Sequence, residues 1–239
     1  MHPFAEEMNK SRRMAALGAQ ALATNGWLVL QIDLTGCGDS EGEFGDINWQ
    51  HWLDDVSQAW AWLQGECNGV LGIWALRAGS LLAAEWLRQN RERAPLLLWQ
   101  PIRNGEQHLV QFLRLKAVNE MLAAKGGDTV NELKAKLDAG QAVEVAGYWL
   151  SPGLAQGLRS SRLELPEGFR SSVIILEVVP EGRREPSPAI AALAEKWRES
   201  DVPVRVRTTH GARFWQTLEI ETAPALIEAT LAEVATVAA

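Results

Sequence analysis

The chain has 239 residues and a mass of 26.3 kDa, enough for one large α/β domain with a true core and too little for two such domains and a linker. Hydrophobic residues make up 47% and charged residues 22%, which excludes broad disorder, while a net charge of −7 and a pI near 5.2 argue against nucleic acid as a partner, because neutralising phosphates takes a basic face. Cys37 and Cys67 have no C-x-x-C spacing and no paired histidines, so no disulfide scaffold, zinc site or other cofactor is expected; without a leader pattern or an apolar run of about 18 residues, the expectation is a cytoplasmic protein with no membrane span.

In chain order, apolar positions Met8, Met14, Leu17 and Leu22 recur at helical spacing over residues 5–25, and Asn25-Gly26 is a good stop. Residues 27–33, Trp27-Leu28-Val29-Leu30-Gln31-Ile32-Asp33, form a short apolar run that predicts a strand covered on both faces. Residues 35–46 are rich in turn formers and predict a loop, after which Asn48 is a candidate cap for a helix carrying Trp52, Val56, Ala59 and Leu63 on one side. Strands are next expected at residues 70–76 and 96–100, with a helix from Ser80 to about Asn90 between them. Residues 103–170 break the alternation, with helices expected around residues 106–124 and 130–138, and read as a helical lid inserted into a core of residues 1–102 and 171–239. The core resumes with a strand at residues 172–179, a helix at 187–199, a strand at 202–208 whose alternating arginines suggest an edge, and a closing helix at 224–237. Strands alternating with helices predict a parallel sheet covered on both faces. Most of the eleven tryptophans fall in these strands and helix faces, which favours core filling over a stacking platform.

The strand-to-helix junction carries the main chemical signal. Ala75-Leu76-Arg77-Ala78-Gly79 reads as the G-x-S-x-G elbow of serine hydrolases with alanine for the first glycine and arginine for the serine. Small flanking residues fit a turn this sharp. A guanidinium stays protonated and has no lone pair with which to attack, so Arg77 can hold an anion but cannot form an acyl-enzyme.

Segments along nearly the whole chain carry a resemblance. They are residues 2–14 (His2-Pro3-Phe4-Ala5-Glu6-Glu7 and onward), Gly36-Cys37-Gly38-Asp39-Ser40, Trp99-Gln100-Pro101, residues 105–115, Pro186-Ser187-Pro188 and Phe214-Trp215-Gln216-Thr217-Leu218-Glu219-Ile220. Together they resemble the exosortase A system-associated hydrolases, second type. The resemblance implies an α/β-hydrolase-like fold and a setting in bacteria that make exopolysaccharide and sort surface proteins by a PEP-CTERM tail. It also implies that His2-Pro3-Phe4 is the oxyanion-hole loop after the third strand of the hydrolase sheet. Three strands are then expected ahead of Met1, the third lying between residues 27–33 and 70–76. Without it the sheet must leave a gap or pair two strands that do not normally touch.

Ligands of open α/β sheets bind beyond the carboxyl ends of the strands, so the loops beginning at His2, Thr35, Arg77, Pro101, Pro180 and Thr209 are expected to converge. Arg77 either binds an anionic ligand or forms an ion pair with Glu106 or Asp39. His210 is the candidate general base, with Glu106 or Glu181 as its acid; the other reading is a strand-end histidine satisfied by backbone. Catalytic candidates are therefore Arg77, His210 and Glu106, and substrate-binding candidates are His2, Phe4, Asp39 and Arg77. Pro3 removes one N–H from the oxyanion loop. Ser80 is expected to bond to backbone and Cys37 to be a structural loop residue, while His51 and His108 fall on helices at the surface or in the lid.

Three functions stay open. One is hydrolysis of an acyl or ester bond, on a small-molecule, saccharide or acyl substrate of exopolysaccharide assembly, by a non-serine route with water activated by His210. The second is a catalytically inactive binding or scaffolding module that recognises an anionic ligand. The third is a homodimer formed through the apolar stripe of residues 109–122, which is also a natural core stripe.

Overall fold

The computed structural model describes residues 1–122 and 127–236, with the backbone alone at 121 and 122. Its first helix, α1 (Glu6–Thr24), ends where Asn25 and Gly26 close it by hydrogen bonds to Ala21, Leu22 and Ala23 carbonyls. Helix α2 (Trp49–Glu66) starts in a capping box, the Asn48 side chain accepting from Gln50 and His51 N–H groups while the His51 ring accepts from Asn48 N–H. Strand β1 (Ile73–Leu76) turns into α3 (Gly79–Asn90), followed by β2 (Leu96–Trp99).

The segment 103–170 then leaves the sheet as α4 (Gly105–Leu122), α5 (Val130–Asp138), the hairpin strands β3 (Val143–Val145) and β4 (Tyr148–Leu150), and α6 (Pro152–Ser160). Its two ends meet where Asn104 bridges Arg162. The hairpin was not legible, because strands of three residues are too short to show a period, and α6 was not read from the sequence. The expected end of α4 at Ala124 lies outside the described residues. Strand β5 (Val173–Val179), α7 (Pro188–Glu199) capped by Ser187, β6 (Val204–His210) and α8 (Pro224–Val234) follow; α8 stops at Val234, with Ala235 and Thr236 in a turn, short of the expected end at Val237, which itself lies outside the described residues.

Four parallel strands in the order β1-β2-β5-β6 form the sheet. The two central strands are buried at every position, as continuous apolar runs in a doubly covered parallel sheet require. The alternation in β6 is that of an edge: Arg205 and Arg207 reach over to Glu233 of α8 at 2.8 and 2.5 Å. Trp74, Trp86 and Trp99 pack within the two cores on either side, with the Trp74 and Trp99 rings 4.6 Å apart.

The expected strand at residues 27–33 is corrected by the structure. The segment has no strand pairing, because no neighbouring strand lies against it to complete a ladder. Between it and β1 lies a cavity of about 610 Å³. The gap is touched only at one end, where Met1 accepts from Leu76 N–H at 3.1 Å and its amine donates to the Trp74 carbonyl at 2.6 Å. Burial pushes that amine down to about 5.

Candidate functional site

Arg77 sits at the end of β1 with φ of 53°, a left-handed conformation that costs a bulky residue on the order of 1–3 kcal/mol and persists only when its surroundings enforce it. They do so here. Arg77 N–H donates to Trp99 carbonyl, and its own carbonyl accepts from Ser80 N–H, Ser80 Oγ and Ile102 N–H. Ser80 is fully buried and bonds to backbone on both sides of the turn, to Arg77 and Ile102 carbonyls at 2.7 and 3.0 Å. Gly79 is required by close approach: a Cβ there would lie 2.7 Å from the carbonyl oxygens of both Met1 and His2.

The Arg77 side chain is 9% exposed and turns inward to Glu7, on the first turn of α1. Its Nε donates to both carboxylate oxygens at 3.2 and 3.1 Å, and Nη2 donates to Oε1 at 2.7 Å. Charged, forked and largely dry, this is the strong form of the interaction. The Trp215 ring, from the loop after β6, lies under the guanidinium with its centroid 5.2 Å from Cζ, adding a cation–π contact. The expected partners, Glu106 or Asp39, are corrected to Glu7. No spacing rule links residues 7 and 77, whereas the tertiary approach of α1 to the turn does.

His108 of α4 closes the same group. Its Nε2 is 4.0 Å from Glu7 Oε2, its ring meets Phe4 edge-on with centroids 6.0 Å apart, and neither ring nitrogen has a hydrogen-bond partner. Burial pushes its pKa below the ordinary value; Glu7 opposes this and the Arg77 charge adds to it. The ring is thus neutral at pH 7, and its contact with Glu7 is not an ion pair. His108, read from the sequence as a surface or lid residue, is buried against the turn. The apolar stripe read from the sequence in this helix begins at Leu109, so it did not mark the face on which His108 lies.

The remaining candidates stand as follows. Phe4 is buried, in edge-to-face contact with Phe112 at 5.0 Å. His2 is half-buried; burial and the Met1 amine lower its pKa to about 4, with Asp33 opposing and Arg12 adding to the decrease. Asp39 is exposed and its N–H donates to Asp33. Arg12 and Asp33 pair at 2.6 Å; burial works to raise the Asp33 carboxyl, but the Asp39 N–H and the Arg12 guanidinium hold it below the usual range. Glu106 is taken by Lys134. His210 ends β6 exposed, and Glu181 is exposed. No hydrogen bond or ion pair among the described residues links Arg77 to Glu106, Asp39 or His210. Burial, chiefly, pushes the Cys37 thiol up to about 12, which leaves it unreactive. No cluster of three metal-ligating side chains occurs among the described residues, and no helix described is long and apolar enough to cross a membrane.

A parallel sheet clothed by helices, with a strained turn between the carboxyl end of β1 and the helix that follows it, defines an α/β-hydrolase fold. The family model described as serine aminopeptidase, S33, matches residues 2–141, and the chain belongs to this family. No curated protein matches it in sequence. Among solved structures it is similar to Est1E of Butyrivibrio proteoclasticus, determined with ferulic acid bound, at a TM-score of 0.58 and 16% identity over 98% of this chain and 86% of that one. It is likewise similar to a putative hydrolase from Agrobacterium vitis S4, at a TM-score of 0.59 and 17% identity over 96% and 84% of the two chains. A metagenome-derived structure described under the lipolytic enzymes LipS and LipT gives 0.54 and 16% over 94% and 88%. At these identities the likeness shows the fold alone.

Proposed function

We propose that this α/β-hydrolase-fold protein lacks a serine nucleophile and works as a catalytically inactive binding or scaffolding module of the exosortase A and exopolysaccharide system. The observation that carries the reading is the residue at the strained turn: Arg77, in the left-handed conformation at the end of β1 and held by both oxygens of Glu7. A hydrolase of this layout would expose a hydroxyl there, on the conformation that aims it at a carbonyl. Here the position carries a permanent cation whose charge is already balanced by a carboxylate, so it supplies neither an attacking atom nor an open anion site. Residues 103–170 serve as the lid, with α4 pressing His108 and Phe112 against Phe4 over the turn.

Hydrolysis by a non-serine route through His210 and Glu106 draws less support. His210 is solvent-exposed and Glu106 is held by Lys134, so the pair lacks the base-to-acid hydrogen bond that such chemistry uses. The setting in exopolysaccharide-producing bacteria rests on the sequence segments quoted above.

The test is incubation with a fluorophosphonate probe and with p-nitrophenyl butyrate. The expected result is no covalent adduct and no turnover above that of the heat-denatured protein. Stoichiometric labelling of any serine, with matching ester turnover, would refute the proposal.

A further inference from the structure

Glu7, Arg77 and His108 form a largely dry group whose net charge turns on a single proton. A guanidinium presents its N–H donors along two edges. Glu7 occupies the side edge of Arg77, made by Nε and Nη2. The end edge, made by Nη1 and the second N–H of Nη2, has no acceptor among the described residues. Unlike both ring nitrogens of His108 and Nε1 of Trp215, which are buried without partners, Nη1 is not shut off from solvent. The small exposed part of the Arg77 side chain thus includes a free donor edge. Two parallel N–H groups in a planar fork match the two oxygens of a carboxylate.

At pH 7 nothing in the group calls for a second anion, because the His108 ring is neutral and one guanidinium balances one carboxylate. His108 Nε2 lies 4.0 Å from Glu7 Oε2, about 1 Å beyond the length of a charged hydrogen bond. A proton arriving on the ring is drawn to a carboxylate that Arg77 already uses. The groups that face the ring are Glu7 from α1, Arg77 from the turn, Gln111 on α4 itself and the apolar ring of Phe4. Glu7 is the one carboxylate among them, so two cations then share it. Burying a charge without a partner is costly, and the guanidinium edge that reaches solvent is where an anion can offset the excess.

We propose that the turn takes up a proton and a small monocarboxylate together, the proton on His108 and the carboxylate on the end edge of Arg77. This rests on the reading above, in which Arg77 replaces a nucleophile and the protein binds without catalysing. Such coupling is reciprocal: the carboxylate strengthens proton binding by the same factor as the proton strengthens carboxylate binding. Affinity for the carboxylate therefore rises as pH falls, and the ligand is captured in mild acid and released near neutrality.

The probe is sodium formate, compared with sodium chloride at equal ionic strength, and the readout is the NMR titration of the His108 Cε1–H signal. Formate is expected to raise the midpoint of that titration by about one pH unit relative to chloride, within the usual range for coupled ligands. Arg77→Lys keeps a cation without the fork and is expected to abolish the difference between the salts. A second reading does not depend on that variant folding. At about pH 5.5, below the ordinary histidine value, formate is expected to raise the wild-type urea midpoint above that in chloride and to leave His108→Asn unchanged. Equal titration midpoints in the two salts, a difference that survives in Arg77→Lys, or stabilisation by formate that survives in His108→Asn would each overturn the inference. Labelling of a serine by the fluorophosphonate probe would instead refute the reading on which it rests, so the two failures are told apart.

Discussion

His108 is the residue at which burial and charge conflict most sharply. Both ring nitrogens are unpartnered, Glu7 and the Arg77 guanidinium face it from α1 and the turn, and the Phe4 ring covers it. Burial lowers its pKa in the folded state, so the native protein resists a proton that the unfolded chain accepts below about 6.5. Above that pH the histidine adds nothing to the pH dependence. As pH falls through it, the unfolded state gains protons and stability drops. His2, lowered to about 4, acts with the same sign. Urea midpoints are therefore expected to decrease as pH falls from about 6.5 to about 5. His108→Leu is expected to flatten the part below pH 6.5 and leave the part between 6.5 and 8 unchanged. A His108→Leu protein with an unaltered slope below 6.5 would show that this ring is not desolvated.

At the scale of elements, glycines mark the closest approaches. A Cβ on Gly79 meets two backbone oxygens at 2.7 Å, and one on Gly105 runs into the Leu158 carbonyl where α4 packs on α6. Backbone atoms cannot swing aside, so Gly79→Ala and Gly105→Ala are each expected to cost about 1–3 kcal/mol in chemical denaturation. Gly65→Ala, with nothing near its Cβ, serves as the control and is expected to be neutral or slightly stabilising. The turn and its small flanking residues were legible in the sequence because local sterics dictate them, as were the cap at Asn48 and the edge character of β6. The helix over residues 105–122 was legible, but not the side on which His108 lies. Least legible were contacts set by tertiary approach: Glu7 with Arg77, and Trp215 beneath it. A local pattern also misled at residues 27–33, whose apolar run describes a strand well. Strand formation there needs a neighbour, which the pattern of one segment does not reveal.

For the molecule as a whole, the Glu7 and Arg77 pair joins α1 to the sheet at the turn after β1. It spans 70 positions of sequence, so it contributes to global stability and not to the local stability of one helix. Breaking a largely buried pair by removing one partner strands the other charge, with a cost on the order of 3–5 kcal/mol. The most direct test is a double-mutant cycle read by urea denaturation, using Glu7→Leu, Arg77→Leu and both together. Each single variant is expected to lose about 3 kcal/mol or more, and the double variant markedly less than the sum, because neither charge is then left unpaired. Single losses within about 0.5 kcal/mol of zero that simply add would contradict the account, since they would mean that Arg77 is solvated and the turn is open.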